Sequence, residues 1–315
     1  MPRPLILLLA MLEEYAHQGF YWLLNMSISG TLAGAIVWLI GRWPRLPRRI
    51  AHGLWAIPAL RLTLPFSFGS AFSLARLLPE KSVTYVPLLE TRELTMTNMM
   101  QYAVRYNPIA YRDARLTAVL TYAFLAWLLV LLGLLVCLLA AHLSSRRGLH
   151  AARLLQRGVY CAPDVSGPMV CGVLRPRILI PEALADSDLT HILAHERAHI
   201  RRLDNLWRAL AILIACVHWF NPAVWLMLRA FLQEAEAACD ESVVSRLDAG
   251  GRSAYARTLV DAAEIRAALA SPLGGGRLRS RVSRILTYRR LTLASVLGFL
   301  ALAAALAWAL LSNPL

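Results

Sequence analysis

The chain has 315 residues, of which 58% are hydrophobic and only 17% are charged. Soluble domains are about 45–50% apolar, so the composition excludes an ordinary soluble enzyme and predicts a mainly α membrane protein. The net charge of +14 comes almost entirely from arginines that flank the apolar runs. This placement favours orientation in a bilayer and contact with anionic membrane lipid. Because the sequence carries no nucleic-acid-binding motif, we predict no direct nucleic-acid partner.

Apolar runs predict about four transmembrane helices. Residues 1–65 hold two N-terminal spans, the second of them weak because it is short and contains Pro58 and Arg61. The third span is 116–143 and the last is 291–311, followed by a short tail at 312–315. Basic clusters at 42–49, 146–157 and 277–290 predict the cytoplasmic side. The loop 66–115 and the tail are then outside, and the domain 144–290 faces the cytosol.

The domain 144–290 is predicted to be a small α+β unit inserted between the third and last spans. Met169-Val170 and the run 177–180 are expected to be short strands. The apolar segment 206–220 is shorter than the ~20 residues of a span, which favours a membrane-hugging helix. Asn221 and Pro222 predict the start of a long helix, as N-cap and first helical residue.

The motif HExxH occupies residues His195 to His199. Two histidines four apart lie on one helix face and can share a metal ion. Glu196 between them can act as general base toward the attacking water. Downstream, Glu236 is the candidate third ligand, and Asp240 one turn later can hold a ligand histidine by its other N–H. Catalytic zinc uses three protein ligands, so the pattern predicts a zinc endopeptidase with Zn²⁺ as cofactor.

Other polar residues near the motif have more ordinary interpretations. Asp204 is predicted to support the end of the zinc helix, with a surface ion pair as the alternative. Glu234 competes with the third ligand but lies on another face of its helix. His218 is expected to make structural hydrogen bonds, His191 to face solvent or cap a helix, and Cys239 to be a packed thiol.

Three runs, 195–204, 218–225 and 236–241, resemble the BlaR/MecR-type (antirepressor) integral-membrane zinc metallopeptidases, and the segment 172–181 resembles the strand before their zinc helix. The resemblance implies a gluzincin-like site with Glu236 as third ligand, in the bacterial inner (cytoplasmic) membrane. It also implies cleavage of a cytosolic protein during signal transduction. The candidate substrates are a winged-helix transcriptional repressor and the protease itself, cut in the basic block 277–290 beside Gly274–Gly276.

Sensor members of that family carry a penicillin-binding domain after the last span, and we expect this chain to lack it because the sequence ends at Leu315. The loop 66–115, a separate sensor partner or a homodimer would then receive the signal. Two alternatives stay open, namely a non-enzymatic membrane signal transducer with structural zinc and a quality-control membrane zinc protease. The intact Glu196 favours an enzyme, because structural zinc does not need that carboxylate.

Overall fold

The computed structural model describes residues 3–64, 68–69, 114–148, 152–163, 165, 167–185, 188–269, 275–288 and 292–313. Helices dominate it, as the composition predicts. They are α1 (Arg3–Gly41), α2 (Arg48–Leu54), α3 (Ala56–Thr63), α4 (Ala114–Gly148), α5 (Thr190–Arg201), α6 (Asp204–Val217), α7 (Pro222–Val244), α8 (Ala249–Leu269), α9 (Gly275–Leu286) and α10 (Leu293–Leu311). The strands are β1 (Phe68–Gly69), β2 (Arg153–Gln156), β3 (Val159–Ala162), β4 (Met169–Cys171), β5 (Arg177–Pro181) and β6 (Ser312–Asn313).

Among the described residues, three helices are long and apolar enough to cross a membrane. The candidate spans are Trp22–Gly41 in α1, Thr121–Ser144 in α4 and Ala294–Leu311 in α10, which correspond to the first, third and last predicted spans. The weak second span is two short helices, α2 and α3, of 7 and 8 residues. Pro58 removes the backbone donor that would bond to Leu54 across the junction. The described residues therefore support three spans, and the fourth stays a prediction.

A four-stranded sheet supports the metal-motif helix. Its order is β2-β3-β5-β4, with β3 and β5 parallel and the outer pairs antiparallel. The two predicted strands are confirmed as β4 and β5, whereas β2 and β3 were not predicted. Side chains of Val159, Ile178 and Ile180 pack against Ile192 and Leu193 of α5. The apolar side of the sheet thus fixes the helix that carries HExxH.

The turn between α6 and α7 fastens this domain to the N-terminal helices. His218 is completely buried and its ring contacts Ser27 Oγ at 2.6 Å and the Leu62 carbonyl at 3.0 Å. Asn221 donates to Thr31 Oγ1 at 2.9 Å and accepts the backbone N–H two residues later, which caps α7. The predicted helix start is confirmed, and His218 has the expected structural role.

The predicted membrane-hugging segment corresponds to α6. Its 14 residues rise about 21 Å at 1.5 Å per residue, too short for a ~30 Å hydrocarbon core. Trp207, Leu210 and Leu213 are exposed on it. At its end, the indole of Trp127 in α4 donates to the Val217 carbonyl at 2.7 Å. One end of α6 is thus tied to a candidate span, while its position along a membrane stays a prediction.

Candidate metal centre

Helix α5 brings the two motif histidines to one face, with their Nε2 atoms 3.2 Å apart. Both side chains are only 9% exposed, and Glu196 beside them is buried. Glu236 of α7 places one carboxylate oxygen 3.7 Å from His195 Nε2 and the other 3.7 Å from His199 Nε2. Its side chain is 35% exposed. The three side chains therefore converge on one point, which opens to solvent beside the carboxylate.

This arrangement fits a divalent metal ion. Two imidazole nitrogens that bind one tetrahedral zinc at 2.0–2.1 Å lie about 3.3 Å from each other, close to the observed separation. Two imidazoles and one carboxylate also form the donor set of many zinc peptidases. Both Nδ1 atoms are engaged elsewhere, so the Nε2 atoms are the ones presented to the metal. His195, His199 and Glu236 are the residues that would hold it.

The support of His199 is local. Its Nδ1 lies 2.7 Å from Asp204 Oδ2, and the Asp204 side chain is 1% exposed, which excludes the surface ion pair. Leu203 has a φ of 57°, in the left-handed region, so the chain reverses between α5 and α6 and returns the carboxylate to the ring. Arg202 Nε lies 3.3 Å from the other carboxylate oxygen, and Arg202 also contacts His52 of α2 at 3.3 Å.

The support of His195 comes from three other helices. Its Nδ1 lies 2.8 Å from the Tyr255 hydroxyl of α8, which donates to Asp240 Oδ1 of α7 at 2.8 Å. Arg281 of α9 donates two hydrogen bonds of 2.8 Å to the same carboxylate. Asp240 itself is 3.4 Å from His195 Nδ1. Asp240 thus lies beside the predicted histidine, and the Tyr255 hydroxyl of α8 bonds to both groups.

Two arginines flank the open carboxylate of Glu236. Arg281 Nη1 lies 3.7 Å from Oε2, and Arg208 Nη2 of α6 lies 3.7 Å from Oε1. Tyr255 was not predicted as a site residue, and the basic block 277–290, which contains Arg281, was predicted to set topology and contact lipid. Neither residue belongs to a spacing motif with the ligands, so helix packing alone reveals them.

The electrostatics of the site favour positive charge at the point of convergence. Burial opposes protonation of His199, but Asp204 and Cys239 outweigh it and raise its pKa to about 9. Burial would raise the pKa of Glu236, but the two histidines and Arg281 bring it well below its usual range. Burial and Asp240 raise the pKa of Tyr255, so its hydroxyl stays a donor. A bound cation replaces the protons that the histidines otherwise attract.

A second candidate donor is Cys239, whose sulfur forms a group with both histidines in which the ligand atoms lie within 4.8 Å of one another. Its Sγ is 3.3 Å from the His195 carbonyl and 3.6 Å from His195 Nδ1, on the opposite ring edge from Nε2. We favour Glu236, since its oxygens face both Nε2 atoms. Glu234, the other carboxylate considered, pairs with Arg48 at 3.4 Å.

The chain that carries this centre matches a known protein family. The profile described as BlaR1 peptidase M56 matches residues 21–291, which include all three converging side chains. The chain belongs to that family. The resemblance to BlaR/MecR-type proteins is therefore confirmed.

Curated relatives match over shorter stretches. The regulatory protein BlaR1 of Bacillus licheniformis is 29% identical over 127 residues, which are 39% of this chain and 21% of that protein. The methicillin resistance mecR1 protein of Staphylococcus aureus is 25% identical over 101 residues, 31% of this chain and 17% of the relative. A protein of the same name from Staphylococcus epidermidis matches equally. The chain thus covers about a fifth of the length of these relatives.

Proposed function

We propose that the chain is a zinc-dependent membrane endopeptidase that cleaves a cytoplasmic protein in signal transduction, with a winged-helix repressor as the candidate substrate. The observation that carries the proposal is the convergence of His195, His199 and Glu236 beside the buried Glu196. The basic clusters that flank the spans support an inner-membrane protein whose site faces the cytosol. The names of the relatives, which include regulatory and resistance proteins, support a signalling role.

The protein's own groups account for proton transfer and orientation. Zinc, when bound, would polarise the scissile carbonyl and make the attacking water more acidic. Glu196 takes the proton of that water and passes it to the leaving amine. Asp204 and Tyr255 accept from the Nδ1–H groups of the histidines and so keep the Nε2 lone pairs directed at the site. Arg208, which is 42% exposed, is positioned to contact a substrate that approaches Glu236.

The central test compares the purified full chain with Glu196→Gln. We expect equal zinc content and a loss of repressor cleavage of at least about 100-fold, as for removal of a general base. Glu182→Gln, an exposed change on the short 3-10 helix Glu182–Leu184, is the matched control and should cleave normally. Zinc retained with undiminished cleavage in Glu196→Gln would defeat the protease proposal.

A second candidate function, a non-enzymatic transducer with structural zinc, is favoured by Cys239 because sulfur is common in structural zinc sites. The variant Cys239→Ala separates the two sets of ligands. We expect it to keep zinc through Glu236, while Glu236→Ala loses zinc. Cys216→Ala, at another buried cysteine on α6, controls for the lost thiol volume. Loss of zinc from Cys239→Ala with retention in Glu236→Ala would favour the structural reading.

Self-cleavage near the basic block is a further part of the proposal. Residues 270–274 lie outside the described residues, and α9 begins at Gly275 and carries Arg281 to within 3.7 Å of Glu236. Six residues of helix correspond to about 9 Å, so the start of α9 at Gly275 lies near the site. Mass spectrometry of wild type and Glu196→Ala tests this, and identical fragments in both would refute it.

A further inference from the structure

Two adjoining cavities lie along α2 and α10, outside the metal centre, the first between these helices and the end of α7 and the second between them and α3. The first, of about 500 Å³, is lined by four polar residues, Arg49, Glu241, Ser245 and Tyr288, and by the apolar Pro47, Ile50 and Val296. The second, of about 480 Å³, is lined by apolar side chains of α2, α3 and α10. Arg49 and Ile50 line both cavities. They therefore form one groove with a polar end and an apolar end.

The groove runs along a candidate membrane span. Its polar end lies at Val296, near the start of α10, and its apolar end runs from Leu300 past Ala303 and Ala307 to Leu311. The eleven helical steps from Leu300 to Leu311 rise about 16 Å, roughly half of the ~30 Å hydrocarbon thickness of a bilayer. The apolar end thus has the length of one leaflet. The polar end of the groove lies on the same side as the metal centre.

Among the described residues, the polar end combines one cation, Arg49, and one anion, Glu241. Arg49 Nη2 donates to Ser245 Oγ at 2.6 Å and to the Glu241 carbonyl at 3.2 Å. Since a guanidinium has five N–H donors, others are left for a phosphate. The Glu241 carboxylate accepts the Arg49 backbone N–H through Oε2 at 3.1 Å, and a carboxylate has further acceptor sites. A headgroup with a phosphate and a primary ammonium complements both charges.

We propose that this groove binds one phospholipid with an ethanolamine headgroup, its phosphate on Arg49, its ammonium on Glu241 and one acyl chain along α10. A choline headgroup has no N–H to donate to Glu241, and a glycerol headgroup brings no positive charge to it. The site therefore differs from the general attraction of arginine clusters for anionic lipid. The proposal rests on membrane insertion of α10 and not on peptidase activity.

The test measures lipid retention by the full chain in detergent, using native mass spectrometry. Phosphatidylethanolamine, phosphatidylcholine and phosphatidylglycerol with identical acyl chains are titrated separately. We expect one bound phosphatidylethanolamine, with a preference of about 10-fold, because hydrogen bonds to charged groups contribute roughly that factor. Glu241→Gln keeps an acceptor for the Arg49 N–H and should remove the preference over phosphatidylcholine.

A pair of variants on α10 tests the acyl-chain end. Ala303→Trp fills the groove and should abolish retention of all three lipids. Ala304→Trp, an exposed neighbour outside the groove lining, is the matched control and should bind as wild type does. Equal retention of the three headgroups, a preference for phosphatidylglycerol, or unchanged binding in Ala303→Trp would overturn the proposal. If Ala303→Trp does not fold, an unchanged preference in Glu241→Gln is still sufficient to overturn it.

Discussion

The two histidines of the candidate metal centre lie on one helix, but different groups orient their rings. His199 is oriented by Asp204, five residues later, across a single left-handed turn. His195 is oriented by Tyr255, which depends in turn on Asp240 and Arg281. One half of the site is thus built from the motif helix and its own turn, and the other half from the docking of α7, α8 and α9. We expect the His195 side to be the more easily disrupted by distant changes.

The largest expected effect comes from Asp240→Ala, which removes the acceptor shared by Tyr255 and Arg281. Breaking a buried ion pair costs about 3–5 kcal/mol, and we expect about 3 kcal/mol here because Arg281 is partly exposed. Zinc content should fall as well. Unfolding in detergent and metal analysis measure both. Asp261→Ala, an exposed change on α8, is the control. Equal stability of the two variants would contradict the dependence on docked helices.

A smaller effect is expected for Asp204→Asn on the local side. The amide oxygen can still accept from His199, but the negative charge that favours the ligand is lost. Changes to groups that orient metal ligands typically cost 10–100-fold in metal affinity, and we expect that range with little loss of folding stability. Competition with a chelator measures the affinity, and Asp188→Asn, at an exposed position before α5, is the control. Unaltered affinity would show that His199 needs no carboxylate.

The same contrast explains what the sequence could predict. The shared face of His195 and His199 was predictable because helical periodicity fixes which side chains lie together. Glu236 lies on another helix and was predicted from its spacing to Asp240 and from the family resemblance, and the structure brings it to both histidines. Asp204, five residues after the motif, was predicted to support the end of the zinc helix, and its carboxylate contacts His199. Asp240 was predicted to hold a ligand histidine, and its carboxylate lies 3.4 Å from His195 Nδ1. Tyr255, which bonds to both groups, was not predicted because it reaches the site only through the packing of α8 on α5 and α7.

Outside the site, the long apolar helices were predictable from sequence, whereas contacts that depend on helix packing were not. The three long spans follow from uninterrupted apolar runs. The strand β2 was missed because Arg153 and Gln156 at its ends break the alternation expected of a strand. Arg281 was assigned to a basic anchor because charge alone does not show which side of a helix faces inward. Its contacts with Asp240 exist only because α9 packs against α7 and α8.

Tyr255→Phe tests the link between Asp240 and His195 with a smaller change. The hydroxyl is lost, but Asp240 Oδ1 already lies 3.4 Å from His195 Nδ1 and can take over part of its role. We therefore expect zinc affinity to fall by about 10-fold, the low end of the range for such partners. Tyr160→Phe, on strand β3 and away from the site, is the control. A larger loss than in Asp204→Asn would mean that the hydroxyl, and not Asp240, orients the ring.

The smallest effect expected is an energetic coupling, and it is the most direct measure of how separate the two halves are. Arg281→Lys removes one of the two bonds to Asp240, since a lysine cannot reproduce bidentate contact. On metal-free protein, combining it with Tyr255→Phe should give a coupling energy above about 0.5 kcal/mol, because both residues share one carboxylate. The stability effects of Arg281→Lys and Asp204→Asn should instead add to within about 0.5 kcal/mol. A coupling energy between Arg281→Lys and Asp204→Asn would show that the groups around His195 and those around His199 form one network even without metal. Additive effects of Arg281→Lys and Tyr255→Phe would show that Arg281 stabilises α9 without acting on His195.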